Sequence, residues 1–170
     1  MGQDAHRVTG RTLVVPSEEI IMGLDMYLSK KTFVRNYRDD GGYQVQVTKD
    51  GQPTDIDPKR IAYVVEEVGY WRKANAIHRW FVDNVQSGED DCKEYYVNGQ
   101  QLKELLTDCQ QVLEAPSLAK EILPTTSGFF FGCIEYDDGY FDDLRQTVEI
   151  IQKCLNGDNK SADYYYQASW

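Results

Sequence analysis

The densest grouping of chemically capable side chains runs from Tyr70 to Phe81, in the order Tyr-Trp-Arg-Lys-Ala-Asn-Ala-Ile-His-Arg-Trp-Phe. The spacing predicts a helix over 71–85. Tyr70, Ala74, Ile77, Phe81 and Val85 recur at steps of three and four and form one apolar stripe. On that helix Trp71, Asn75 and His78 share one shoulder of the stripe. Arg72 and Arg79 stack on the polar face, and Lys73 and Trp80 take the other shoulder. A ring, an amide, an imidazole and two guanidinium groups on one helix suit a ligand with a base or sugar and a phosphate or carboxylate. The same pattern also describes plain packing, with Trp71 and His78 half-buried and Arg79 paired to Asp83 at i,i+4.

The second grouping is Thr125-Thr126-Ser127-Gly128, ahead of Phe129-Phe130-Phe131. Hydroxyls and backbone N–H groups on such a loop can close over an anionic oxygen. A tight turn into a core strand fits the same residues. There is no GxxxxGK[ST] or GxGxxG spacing, and Ser127 stands outside a GxSxG elbow, so neither a P-loop nor a hydrolase nucleophile is expected. Asp25 interrupts an apolar stretch, either on a solvent face or at a pocket edge facing Arg72 or Arg79. The acids of Glu135, Asp137, Asp138, Asp142 and Asp143 miss the calcium-loop spacing. Asp137 and Asp138 fit the start of a helix.

Catalysis finds little support. His78 is the sole histidine beyond residue 21, which leaves no two-histidine metal centre within one chain. A nucleophile–base pair of His78 with Cys92 or Cys133 requires the fold to join them. Cys92, Cys109, Cys133 and Cys154 form no CxxC pair. Four reduced, mostly buried thiols are the expectation for a chain with no signal-peptide pattern. No metal and no cofactor are expected.

These residues need elements to position them. Leu24, Met26 and Leu28 alternate with Asp25 and Tyr27 as a half-buried strand does. Tyr43–Thr48 alternates as well, after a turn signal at 39–42, and Asp50-Gly51 is a further turn. Residues 52–59 read as a polar loop, and 61–68 as a strand or a helix start. Asn98 suits the cap of a helix carrying Leu102, Leu105, Cys109 and Val112. Pro116 opens a short helix that ends before Pro124. Residues 128–136 read as a buried strand. A last helix carries Phe141, Leu144, Val148, Ile151 and Leu155, closed by Asn156-Gly157. Residues 163–170 read as a strand. The sum is an α+β domain: a small, mostly antiparallel sheet packed with about four helices.

The chain has 170 residues and a formal charge of −10, which argues against general nucleic-acid binding. It contains no apolar run of the roughly 18 residues that span a bilayer. Residues 1–21 are mixed in polarity, and the character changes at Met22. The expectation is a body over 22–170 that starts at Met22, with 1–21 an extension. Without that stretch 16 basic residues stand against 25 acidic ones, so the body keeps −9.

In MGLDMYLSKK, YWRKANAIHRWFVDNVQ, DDCKEYYV, LPTTSGFFFG and YYYQASW the chain resembles a group of small phage and prophage proteins of undefined biochemistry. The likeness runs from Met22 to Trp170. It implies a mobile-element protein acting in the cytosol of a bacterial host, and it brings no catalytic residues. Small phage proteins of this kind often counter host defences, some by sequestering nucleotide-derived signals and others by binding a host protein. The expectation is therefore an oligomeric protein that binds a small anionic, nucleotide-like ligand without consuming it. Asp25, Trp71, Arg72, Lys73, Asn75, His78, Arg79, Thr126, Ser127 and Gly128 would form its site. Two alternatives remain: a protein–protein inhibitor of a host factor such as a defence protein, of which an acidic nucleic-acid mimic is one form, and a small nucleotide-processing enzyme with His78 as general base.

Overall fold

Alternation fixes the first element. Leu24, Met26 and Leu28 are fully buried, and strand β1 spans Asp25–Phe33. The computed structural model describes residues 23–35, 45–157 and 162–170. The expected 1–21 extension, the turn at 39–42 and the start of the Tyr43–Thr48 strand lie outside the described residues. Of that last stretch, strand β2 covers Thr48–Lys49. It pairs with β3, Gln52–Pro53, across Asp50 and Gly51. Both turn residues have positive φ, +52° and +76°, the backbone that a two-residue hairpin turn with right-handed twist demands.

Strand β4 spans Tyr63–Arg72, and its Val, Tyr and Trp residues suit a pleated surface. Here the structure corrects the expected helix over 71–85. Helix α1 spans only Asn75–Asn84, and Trp71 and Arg72 belong to the strand. Trp71 sits opposite Met26 in the ladder and is buried beneath the helices. Cross-strand pairing therefore overrides a helical spacing that the segment carries only by coincidence. Lys73, with φ +61°, makes the break between strand and helix.

The next elements are β5, Tyr95–Val97, and α2, Gly99–Glu114. Asn98 caps α2 with its side chain, and Gln101 reaches back to the Asn98 amide, a full capping box. A 3₁₀ turn at Pro116–Leu118 leads into the one-turn helix α3, Ala119–Ile122. Helix α4 spans Asp138–Asn156, and the Tyr140 amide donates to Asp137 Oδ1 at its start. Strand β6, Ala162–Ser169, closes the described chain.

The strand order is β4-β1-β6-β5, with every neighbour antiparallel. With the helices on one face this is the expected α+β fold. A bulge in β4 at Val68 lies between the Leu28–Gly69 and Ser29–Glu67 pairs. It lets Gly69 and Trp71 face the helices while Val65 and Tyr63 face away. A Cβ on Gly69 would stand 2.8 Å from Ile150 Cγ2, so the glycine is what lets α4 lie against the sheet. The core joins Met26, Leu28, Phe81, Leu105, Leu144 and Ile151, with the rings of Phe81 and Tyr166 stacked at 3.8 Å.

The expected strand over 128–136 is a loop instead. Phe131 is buried, but Phe129 is 96% exposed, so the run does not alternate. Its backbone is satisfied from elsewhere. The Leu24 amide donates to Phe130 O at 3.1 Å, and Asn75 takes two further carbonyls. Among the described residues no helix is long and apolar enough to cross a membrane.

Candidate functional site

The strand-to-helix junction at Lys73 opens a cleft of about 250 Å³ between the end of β4, the start of α1, the 124–136 loop and the start of α4. Arg72 and Lys73 line one side. Thr125, Cys133 and Glu135 come from the loop, and Asp137, Tyr140 and Asp143 from α4. The first turn of α1 forms part of the wall and has no side-chain cap, because Ala74 stands at the capping position. Its amide dipoles and the two cations give this side a positive potential.

Lys73 holds its left-handed backbone at a cost a glycine would not bear. Two glycines make room for it. A Cβ on Gly132 would lie 3.0 Å from Lys73 Cβ, and one on Gly23 would lie 3.2 Å from Lys73 Cε. Among the described residues no carboxylate reaches ion-pairing distance of the Lys73 ammonium. Asp25 faces Arg72 across the β1–β4 ladder with Arg72 Nη1 3.8 Å from Asp25 Oδ1, and Tyr70 Oη donates to the same oxygen. The hydrogen bond to Asp25, with burial behind it, raises the Tyr70 pKa.

The opposite wall is acidic. Burial, then the charges of Asp142 and Asp137, push the Asp143 carboxyl up to about 6. Asp137 is occupied as the α4 cap. Cys133 is exposed at the rim, and its Sγ accepts from the Glu135 amide at 3.4 Å. Of the four free thiols, Cys109 and Cys154 are buried and Cys92 is half-buried, fewer than the mostly buried set expected.

The other expected site residues go elsewhere. Trp71 is 1% exposed, and its Nε1 donates to Thr147 Oγ1 at 2.9 Å inside the core. Asn75 lines the cleft, yet both its side-chain polar atoms are bonded to the loop. Its Nδ2 donates to Phe131 O at 3.0 Å and Cys133 O at 2.8 Å, while its Oδ1 accepts from the Thr126 amide at 3.1 Å. His78 is 1% exposed. Nε2 lies 3.0 Å from Asp90 Oδ2 and Nδ1 2.8 Å from Tyr166 Oη, with Phe131 and Trp170 edging the ring. The Asp90 carboxylate accepts from Nε2–H, so Nδ1 of a neutral ring accepts from the Tyr166 hydroxyl. Burial drives the Tyr166 pKa far up and keeps that hydroxyl protonated. Both ring nitrogens are thereby engaged away from the cleft.

Arg79 pairs with Asp83 at 3.4 Å and borders a separate, smaller hollow. The expected stacking of Arg72 and Arg79 on one helix face does not occur, because Arg72 lies on β4. Ser127 and Gly128 are exposed on the loop, and a Cβ on Gly128 would collide with the Phe131 ring at 2.6 Å. The polar cleft residues Thr125, Cys133, Glu135, Asp137, Tyr140 and Asp143 are absent from the expected site. The acids are visible as a run, but only the fold brings Asp137 and Asp143 to the cleft that Arg72 and Lys73 also line. Among the described residues no group of three His, Cys, Asp or Glu side chains could hold a metal ion.

No family model, no curated protein and no solved structure matches this chain.

Proposed function

We propose that the protein binds and holds a small anionic, nucleotide-like ligand in the Arg72–Lys73 cleft and does not consume it. The observation that supports this most is Lys73 itself. A lysine occupies a left-handed position suited to glycine and, with Arg72 and an uncapped helix start, lines a cavity. Strain of this kind persists where the surrounding structure enforces it, and it clusters at ligand-binding sites. The phosphate or carboxylate would meet Arg72, Lys73 and the first turn of α1. Hydroxyl or amino groups of the ligand would donate to Glu135 and Asp143. At about 250 Å³ the cleft falls just below the roughly 300–1,000 Å³ of most ligand pockets, which favours a mononucleotide or smaller. In the phage setting that the sequence resemblance implies, such retention would withdraw a host signal.

The test is incubation with mononucleotides, cyclic dinucleotides and ADP-ribose derivatives, ultrafiltration, and mass spectrometry of the filtrate before and after heat release. The expected outcome is one compound depleted and returned intact, with retention lost in Arg72→Ala and Lys73→Ala. A compound converted to product would establish an enzyme instead. A second reading, inhibition of a host protein, draws on Phe129, which is 96% exposed at the tip of its loop. If no compound is depleted, and Phe129→Ser abolishes capture of a host factor, that reading replaces the first.

A further inference from the structure

The sheet has a second face that no described helix covers. The register sets Tyr27, Tyr63, Tyr70, Tyr96 and Tyr165 on it around Lys31. Tyr63 is 46%, Val65 61% and Tyr96 55% exposed. Lys31 Nζ lies 4.8 Å from the Tyr63 ring centroid and 5.6 Å from that of Tyr165, which holds the cation at the centre of an aromatic surface. Five tyrosines on one face match the aromatic enrichment of interfaces, and the charges among them, Asp25, Lys31, Glu67, Arg72 and Asp163, are of both signs.

We infer that this face pairs with the same face of a second copy of the chain. The charges support that occupant. Lys31 on β1 and Asp163 on β6 are register partners, as are Tyr27 and Gln167. A two-fold axis in the interface plane, running along the strands between β1 and β6, lays β1 of one copy over β6 of the other. Each Lys31 then faces Asp163 of the partner copy, and each Tyr27 faces Gln167 of the partner copy. A nucleic acid would find Glu67 and Asp163 on this face and a net charge of −10 behind it. Nine residues of β1 at ~3.3 Å each, and four strands at ~4.8 Å spacing, give a face of roughly 30 by 15 Å. Two such faces bury on the order of 1,000 Å², below the about 1,200–2,000 Å² of stable complexes. The dimer is therefore weak and concentration-dependent.

Sedimentation velocity of the full chain, from a few to several hundred micromolar, tests this. The expected result is a monomer that becomes a dimer across that range. Lys31→Asp should weaken the dimer about tenfold or more, and Lys31→Asp with Asp163→Lys should restore most of it. Val65→Glu, at an exposed position that leaves Lys31 intact, should weaken it too, with circular dichroism confirming that each variant folds. Three results would overturn the inference: monomer mass throughout, a dimer indifferent to Val65→Glu, or no recovery in a folded charge-swapped variant. Quenching of tyrosine fluorescence by a single-stranded DNA oligonucleotide, lost in Tyr165→Ala, would assign the face to nucleic acid instead.

Discussion

The start of helix α1 and the turn just before it hold polar residues of similar chemistry in opposite circumstances. Asn75 and His78 are 4% and 1% exposed, and every polar atom of each has a partner. Arg72 and Lys73, three and two residues ahead of Asn75, line a cleft. Residues that look like one ligand-binding set in sequence thus divide into a framework and a rim. A buried polar group without a partner costs about 1–3 kcal/mol, so the framework residues are bound by their own hydrogen bonds. The rim residues are less enclosed: the Arg72 side chain is 43% exposed beside Asp25, and Lys73 lines the cleft.

His78→Ala should break the framework most. It leaves Tyr166 and Asp90 without their shared partner and opens a void beneath Phe131, at a cost of about 4 kcal/mol. Urea unfolding checks this. A loss under 1 kcal/mol would show that His78 is free to act on a ligand after all. Asn75→Ala should cost about 3 kcal/mol and release the 124–136 loop, seen as faster hydrogen exchange at the Thr126 amide.

Asp143→Asn tests the acidic wall. The folded pKa of about 6 exceeds the ordinary 3.8, so the folded state keeps its proton where the unfolded chain has lost it. The associated stability is complete below about pH 4, declines as pH rises to about 6 and stays lost above that. The amide should flatten that decline and raise stability at pH 7 by about 1–2 kcal/mol, discounted for partial solvation. Melting curves across pH 4–8 provide the readout. The smallest change in stability belongs to Lys73→Gly. Relief of the left-handed backbone offsets glycine's entropy, leaving a gain of about 0.5 kcal/mol or none, while ligand retention disappears. A variant that melts far lower would place Lys73 in the framework.

Legibility followed the range of the interactions. The Asn98 cap, the Asp137 cap, the Asp50-Gly51 turn and the burial of Leu24, Met26 and Leu28 are local, and they read directly from spacing. The i,i+4 pair of Arg79 and Asp83 did too. The segment at 71–85 misled because Trp71 fits the shoulder of a helical stripe and a strand equally well, and pairing with Met26 45 positions away decides. The triple phenylalanine misled because Asn75, more than 50 positions away in the chain, satisfies carbonyls that a sheet would otherwise have bonded.

Sequence alone determined the α+β class, the caps, the apolar faces and an excess of acid that disfavours nucleic acid. It also determined that Arg72 and Lys73 would be neighbours, since adjacency is covalent. Only the tertiary structure decided which polar residues are consumed by folding and which remain open. It set His78 against Asp90 and Tyr166, spent Asn75 on a loop, and brought Asp143 into the cleft that Lys73 lines. The physical reason is that a side chain's availability depends on what surrounds it. For these residues the surroundings come from strands and helices far away in the chain.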